Sequence, residues 1–308
     1  MTDDPLDTDA AFSLLADETR VRILEELGAA TASPETGIPR LSYADLKSRV
    51  GVRDSGRFNY HLTKLVGNYV AKEDEGYRLR WPGLVLYRTI VAGHLTDEVE
   101  PAVDRFAVGT DCHRCGDSLE AHSYETLFRV RCRACDATYT DVYVPTHGLV
   151  DRDQAGILAA VHRRSRTILD SMVSGQCPWC ARDVTPEIHE RDGSLPSLHD
   201  ARDLDPYAVY HCTDCTGFQY VPVSRCLLYH PATVAFYHDH GLDLTEIPAW
   251  ELPWAVTDDA TTVLASDPWR FRVRIELEDE AFVAELNDDL EVVDTTREPI
   301  RTPSDGGE

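Results

Sequence analysis

Eight of the nine cysteines in this chain of 308 residues form four Cys-x-x-Cys pairs: Cys112/Cys115, Cys132/Cys135, Cys177/Cys180 and Cys212/Cys215. Zinc prefers four soft thiolates in a tetrahedron, and two intervening residues let one tight knuckle supply two of them. The spacing groups the first two pairs into one four-cysteine site and the last two into another. We therefore expect two structural zinc ions, each with a closed coordination sphere and no open water position for catalysis. Two rival readings use the same residues. Cys177-Pro178-Trp179-Cys180 has the form of a redox dithiol, but no βαβ setting surrounds it. Pairs from different sites could also share one ion. His113, His122 and His211 lie near enough to ligate, yet four cysteines leave no vacancy. Cys226 is left over and reads as a small buried apolar residue.

The flanking segments read as the strands that such knuckles need. Leu127 to Arg131 leads into Cys132, and Thr138 to Val144 leads out of Cys135. Tyr207 to His211 leads into Cys212, and Gly217 to Val223 leads out of Cys215. Gly116 supplies a permissive backbone after Cys115. The two sets form a loose internal repeat, so zinc ribbons are expected at 109–148 and 176–226, the second with an exposed polar loop over Arg182 to Asp205.

A helix from Asp151 to Val173 connects them within 149–175 and carries the basic cluster His162, Arg163, Arg164 and Arg166. That cluster reads as a solvated or salt-bridged face in preference to a phosphate contact. Over 227–298 we expect a short helix (231–241), an ordered Trp- and Pro-rich segment (247–256) and a small antiparallel sheet. In it Phe271, Val273, Ile275 and Leu277 share one face, Ala281 to Leu286 returns, and Leu290 to Val293 adds a third strand. Residues 299–308 are expected to be disordered.

The N-terminal part reads differently. Asp17 stands as an N-cap before Val21, Leu24 and Leu27 at helical spacing, and Gly28 closes that helix. A second helix begins at Ser42 with Asp45 three residues on, and ends at Gly51. Asp54 caps a third, running to about Val66. On it Phe58, Leu62 and Leu65 fall on one side, and Arg57, Tyr60, Thr63 and Lys64 on the other, with Asn59 and His61 at the flanks. Two strand-like runs follow, Tyr69–Lys72 and Tyr77–Trp81, around an acidic turn; Arg78 and Arg80 alternate with apolar residues there. Two short helices joined by a glycine turn and followed by a hairpin make a winged helix-turn-helix over 10–82. The outward residues could read base edges and phosphates, so candidate DNA contacts are Ser55, Arg57, Asn59, Tyr60, His61, Lys64, Arg78 and Arg80. A protein-interaction surface or an ordinary solvated face would show the same stripe, and His61 reads equally well as a satisfied half-buried histidine.

Leu15-Ala16-Asp17-Glu18-Thr19-Arg20-Val21-Arg22-Ile23-Leu24 and Asn59-Tyr60-His61-Leu62-Thr63-Lys64-Leu65 resemble the ArsR-type winged-helix repressors over roughly residues 10–85. The resemblance implies a recognition helix carrying His61-Leu62-Thr63-Lys64-Leu65, and a dimerisation helix in the 83–108 linker, matching two-fold DNA half-sites. Metal-sensing members of that family use cysteines on these helices; this chain has none before Cys112.

Net charge is −24, with only three lysines, Lys47, Lys64 and Lys72. This composition resembles that of proteins from extreme halophiles, where acidic surfaces stay solvated at molar salt. Residues 40–80 nevertheless hold nine Arg/Lys against five Asp/Glu, whereas residues 241–308 hold five against eighteen. A local basic patch in an acidic chain suits a DNA-contacting element. The acidic start, Met1 to Asp9, argues against a targeting peptide, and no apolar run is long enough for a bilayer. A cytoplasmic location without membrane partners is expected, where cysteines serve metals more often than disulfides. We find no phosphate-cradling loop, nucleophile elbow or motif-placed carboxylate pair, so an enzyme is not expected. The reading is an α+β chain, a homodimeric regulator of transcription on double-stranded DNA with two zinc ribbons. The alternative is an adaptor of the transcription machinery resembling archaeal general transcription factor E, which carries one ribbon.

Overall fold

The computed structural model describes residues 7–30, 40–95, 103–124, 127–190 and 204–300. The chain is α+β and divides into two compact units, Met1–Glu100 with Pro145–Gly148, and Pro101–Val144 with Leu149–Glu308.

The first unit runs α1 (Thr8–Leu15), α2 (Glu18–Ala29), α3 (Tyr43–Val50), α4 (Ser55–Leu65), β1 (Val70–Glu73), β2 (Gly76–Leu79) and α5 (Trp81–Val91). The helix starts are set by side-chain caps that satisfy otherwise orphaned amides. Asp17 Oδ1 accepts from the amides of Thr19 and Arg20, Ser42 Oγ from Asp45, and Asp54 Oδ1 from Gly56 and Arg57. Gly51, at φ 77°, takes the left-handed conformation that ends α3 and turns the chain toward α4. Phe58, His61, Leu62 and Leu65 are the buried positions of α4, and three of them join Ile23, Leu24, Leu46, Val50, Val70 and Leu79 in one apolar core. β1 and β2 form an antiparallel hairpin with Val70 opposite Leu79 and Glu73 opposite Gly76.

The second unit begins earlier than the sequence suggests. A four-stranded antiparallel sheet, β3 (Phe106–Asp111), β4 (Ser118–Tyr124), β5 (Leu127–Cys132) and β6 (Thr138–Val142), takes residues 106–108 out of the expected linker. α6 (Gln154–Val173) follows, capped by Asp153. A three-stranded sheet comprises β7 (Thr185–His189), β8 (Tyr207–His211) and β9 (Phe218–Pro222). The segment read as a polar loop therefore contributes a strand, because Pro186 and Ile188 alternate with Thr185, Glu187 and His189 in register with β8; its residues 191–203 lie outside the described residues.

After α7 (Pro231–Asp239) and α8 (Pro253–Val256) comes a sheet of four strands, one more than expected: β10 (Thr261–Ser266), β11 (Trp269–Leu277), β12 (Glu280–Leu286) and β13 (Val292–Pro299). Phe271, Val273 and Ile275 face inward beside Leu286, Ala284 and Phe282, while Arg270 and Arg272 pair outward with Glu285. Residues 299 and 300, expected within the disordered tail, are ordered. Pro299 ends β13, and the Ile300 amide donates to the Asp279 carbonyl at 2.7 Å; residues 301–308 lie outside the described residues. One continuous core runs from Phe106 to Leu290 and takes in both sheets that carry cysteines, α6 and the C-terminal sheet. The modules separated in the sequence thus share a single apolar interior. Among the described residues no helix is long and apolar enough to cross a membrane.

Candidate metal centres and candidate nucleic-acid interface

Each knuckle closes on itself in the same way. The amide of the first cysteine donates to the carbonyl five residues on: Cys112 to Asp117, Cys132 to Ala137, Cys177 to Arg182 and Cys212 to Gly217, at 2.6 to 2.8 Å. The residue after the second cysteine is left-handed in all four, with φ of 75° at Gly116, 57° at Asp136, 58° at Ala181 and 59° at Thr216. This turn aims both sulfurs of a knuckle to one side.

The knuckles meet as the spacing predicts. Cys112, Cys115, Cys132 and Cys135 form one cluster and Cys177, Cys180, Cys212 and Cys215 the other, with all four sulfurs of each within 4.8 Å of one another. Across the first cluster Cys112 lies 3.7 Å from Cys135 and Cys115 lies 3.4 Å from Cys132. Across the second, Cys177 lies 3.4 Å from Cys215 and Cys180 lies 3.5 Å from Cys212. These distances exceed a disulfide bond of about 2.05 Å. They approach the tetrahedron edge of about 3.8 Å that follows from a zinc–sulfur distance of about 2.3 Å. The donor set and its shape fit a zinc ion.

Electrostatics around the sulfurs favours thiolates at one position in each cluster. Burial alone would push the Cys112 thiol up; the Tyr139 hydroxyl and the amides of Arg114 and Cys115 outweigh it and bring the thiol down to about 6. Burial likewise opposes ionisation of Cys177, and the amides of Cys180 and Trp179 bring it down to about 7. Tyr139 is itself raised above the usual phenol range, first by burial and then by Cys112. It keeps its proton and donates to Cys112 Sγ at 3.2 Å. The sequence reading missed Tyr139; its place four residues after Cys135 was the available signal. Cys226 is buried among apolar residues, which push its thiol up to about 12.

In the first unit α4 leaves Ser55, Arg57, Asn59, Tyr60, Thr63 and Lys64 exposed. Lys64 Nζ stands 5.7 Å from the centre of the Tyr60 ring, so the two long side chains form one surface feature. Ser55 is partly spent on holding α3 to α4, since its Oγ accepts from Lys47 Nζ at 2.6 Å and its carbonyl from the Tyr43 hydroxyl at 3.2 Å.

His61 departs from the outward group. It is 8 % exposed, and its Nδ1 lies 3.3 Å from Asp17 Oδ1 without the alignment of a hydrogen bond. One helix position beyond Tyr60 turns the ring toward α2, where it ties α4 to the α2 cap. Burial opposes ionisation of Asp17, but the Arg20 amide, His61 and the Thr19 amide together hold its carboxyl below the usual range.

The hairpin cations also differ from each other. Arg78 donates to Glu73 at 2.7 Å and to the Leu79 carbonyl at 3.2 Å, and Arg40 also pairs with Glu73. Arg80 is exposed at the start of α5. On α6 the basic cluster divides: Arg163 is exposed, as expected of a solvated face, whereas His162 and Arg166 turn inward. His162 Nε2 and Arg166 both reach the Thr245 carbonyl, at 3.1 and 2.6 Å, and burial holds His162 below its usual range.

A family model described as Domain of unknown function (DUF7351) matches residues 109–292, and one described as Domain of unknown function (DUF7347) matches residues 8–90. None of the curated proteins and none of the solved structures matches the chain. The longer match runs from the first cluster into the last strand of the C-terminal sheet, the extent of the single core.

Proposed function

The chain belongs to the DUF7351 family, and we propose that it is a DNA-binding regulator of transcription whose two cysteine clusters hold structural zinc. One observation carries the reading. α4 buries Phe58, Leu62 and Leu65 and leaves Arg57, Asn59, Tyr60, Thr63 and Lys64 exposed on the other side. A half-buried helix behind a short glycine turn, with a hairpin after it, has the form of a recognition helix in a winged helix-turn-helix. Its outward side chains suit both backbone phosphates and base edges. Arg57 and Lys64 act on phosphate, Asn59 on a base edge, and Tyr60 gives an apolar surface that Lys64 braces. His61 positions the helix from behind. Arg80 is the better hairpin contact, since Arg78 is paired with Glu73.

Bound zinc would cross-link two knuckles in each cluster and so lock the sheets of the second unit. The thiolates of Cys112, Cys115, Cys132 and Cys135 hold one ion, and those of Cys177, Cys180, Cys212 and Cys215 the other. With all four corners filled by sulfur, the role is structural. Two-fold assembly through α5, with Trp81, Val85 and Val91 exposed along it and Leu95 exposed just beyond its end, belongs to the same reading.

Selection of duplexes from a random pool by the full chain, at the salt that keeps it folded, tests the proposal. Enrichment of a two-fold motif is expected. Arg57→Ala should weaken binding to the motif and to random duplex alike, and Asn59→Ala should mainly erode the preference between them. A pool that stays random, or binding indifferent to both substitutions, sinks the reading.

A further inference from the structure

We propose that the two clusters are unequal metal sites: the Cys112 cluster is closed by the Tyr139 hydroxyl, and the Cys177 cluster is the one that exchanges its ion. The inference rests on the reading that both clusters hold metal.

Its origin is a β-bulge. β5 and β6 are paired Val130 to Thr140 and Arg131 to Thr138, so Tyr139 is an extra residue with no partner opposite. A bulge bends the strand and re-aims the extra side chain. Tyr139 is turned inward, 5 % exposed, with its hydroxyl 3.2 Å from Cys112 Sγ. The same oxygen accepts from the His113 amide at 2.8 Å, and His113 Nε2 lies 3.1 Å from the carbonyl of Trp250, itself 1 % exposed. The hydroxyl is thus held from both sides and cannot swing away without disturbing the core.

The second cluster lacks this device at the corresponding place. β8 and β9 pair without a break, Tyr210 to Gln219 and His211 to Phe218. Gln219 stands four residues after Cys215, as Tyr139 does after Cys135, and its amide donates to the Phe218 carbonyl at 2.9 Å. Backbone amides from the knuckle serve Cys177, as they serve Cys112, and the phenol is the added donor in the first cluster.

The consequence is chemical. Ligand exchange begins when a proton, a chelator or an electrophile reaches a thiolate lone pair. A hydrogen bond to that sulfur occupies the lone pair and lowers its nucleophilicity. Accessibility alone points the other way, because Cys115 and Cys135 are both exposed whereas Cys215 is only half-exposed. The two explanations therefore predict opposite orders of release.

The full chain loaded with two zinc ions, mixed with an excess of a chromogenic chelator, distinguishes them. We expect two phases, the slower lost in Cys115→Ser and the faster lost in Cys180→Ser. Tyr139→Phe keeps the ring and removes the hydroxyl. It should accelerate the slow phase by roughly 10-fold, at the low end of what loss of such a partner costs, and leave the fast phase unchanged. In the cobalt-substituted protein it should shift the sulfur-to-metal band of the first site alone. A single phase in the unmodified protein, a slow phase that belongs to Cys180, or a slow rate indifferent to Tyr139→Phe overturns the proposal. A chain that takes up no metal overturns the underlying reading instead. The assignment of phases stands without Tyr139→Phe should that variant fail to fold.

Discussion

The knuckles Cys112-His113-Arg114-Cys115 and Cys177-Pro178-Trp179-Cys180 share a backbone but not a neighbourhood. Arg114 and Ala137 occupy in the first cluster the places that Trp179 and Gly217 occupy in the second. The Trp179 ring lies directly over Gly217, where an added Cβ would come within 2.4 Å of it. The first cluster is braced by a phenol from its own bulged strand, the second by an indole laid across a glycine. The requirement to converge four sulfurs fixes the turn, including a left-handed residue in every knuckle. It leaves the surrounding side chains free to set how tightly each cluster is shut.

Removing a buried ligand from either cluster is the strongest test of how far that independence goes. Cys132 and Cys212 are both fully buried in the common core. Structural zinc contributes about 10–16 kcal/mol in isolated finger peptides, so loss of either site should destabilise the second unit by several kcal/mol. Cys132→Ala and Cys212→Ala should each cut bound metal from two ions to one, read by elemental analysis. Each should also shift the whole denaturation transition of that unit. A second, unshifted transition in either variant would mean that the clusters stabilise separate bodies.

Gly217→Ala sharpens the contrast at intermediate cost. The methyl group must displace Trp179, an overpacking penalty of about 1–3 kcal/mol. The reciprocal change Ala137→Gly meets no ring and should cost less than Gly217→Ala. Tryptophan emission should report the displacement in the first variant and stay unchanged in the second, together with the two denaturation midpoints. Equal costs would show that Trp179 contributes nothing to closing its cluster.

The sequence carried the cysteine grouping in full, because metal-ligand spacing is a local constraint that few other functions impose. It carried the apolar stripe of α4 for the same reason: Phe58, Leu62 and Leu65 repeat at helical spacing whatever surrounds them. It did not carry the bulge at Tyr139, since Thr138-Tyr139-Thr140 alternates like any strand and only its pairing with Val130 and Arg131 reveals the extra residue. β7 was hidden by Pro186, which is tolerated there because it lies on an edge strand. His61 was left open between a contact and a half-buried histidine because a flank position on a helix is decided by what lies beside it, here the Asp17 carboxylate of α2. The single core joining both clusters to α6 and the C-terminal sheet depends on tertiary packing, which leaves no local pattern to read.

The smallest effect isolates the backbone that the clusters share. Thr216 and Ala181 are held left-handed at φ 59° and 58°, a conformation that costs an L residue roughly 1–2 kcal/mol and a β-branched one most. Thr216→Gly removes that strain but gives the unfolded chain more freedom, about 0.5–1 kcal/mol in the opposite direction. The net expectation is a gain of about 0.5 kcal/mol, with less from Ala181→Gly. Gly116 provides the converse, because nothing lies within 4 Å of where its Cβ would stand. Gly116→Ala therefore reports backbone strain alone and should cost up to about 1 kcal/mol. Denaturation of the metal-loaded chain measures all three. A loss on Thr216→Gly matching that of Gly116→Ala would mean that the Thr216 side chain closes the second cluster by contacts of its own, which would narrow the difference between the two sites.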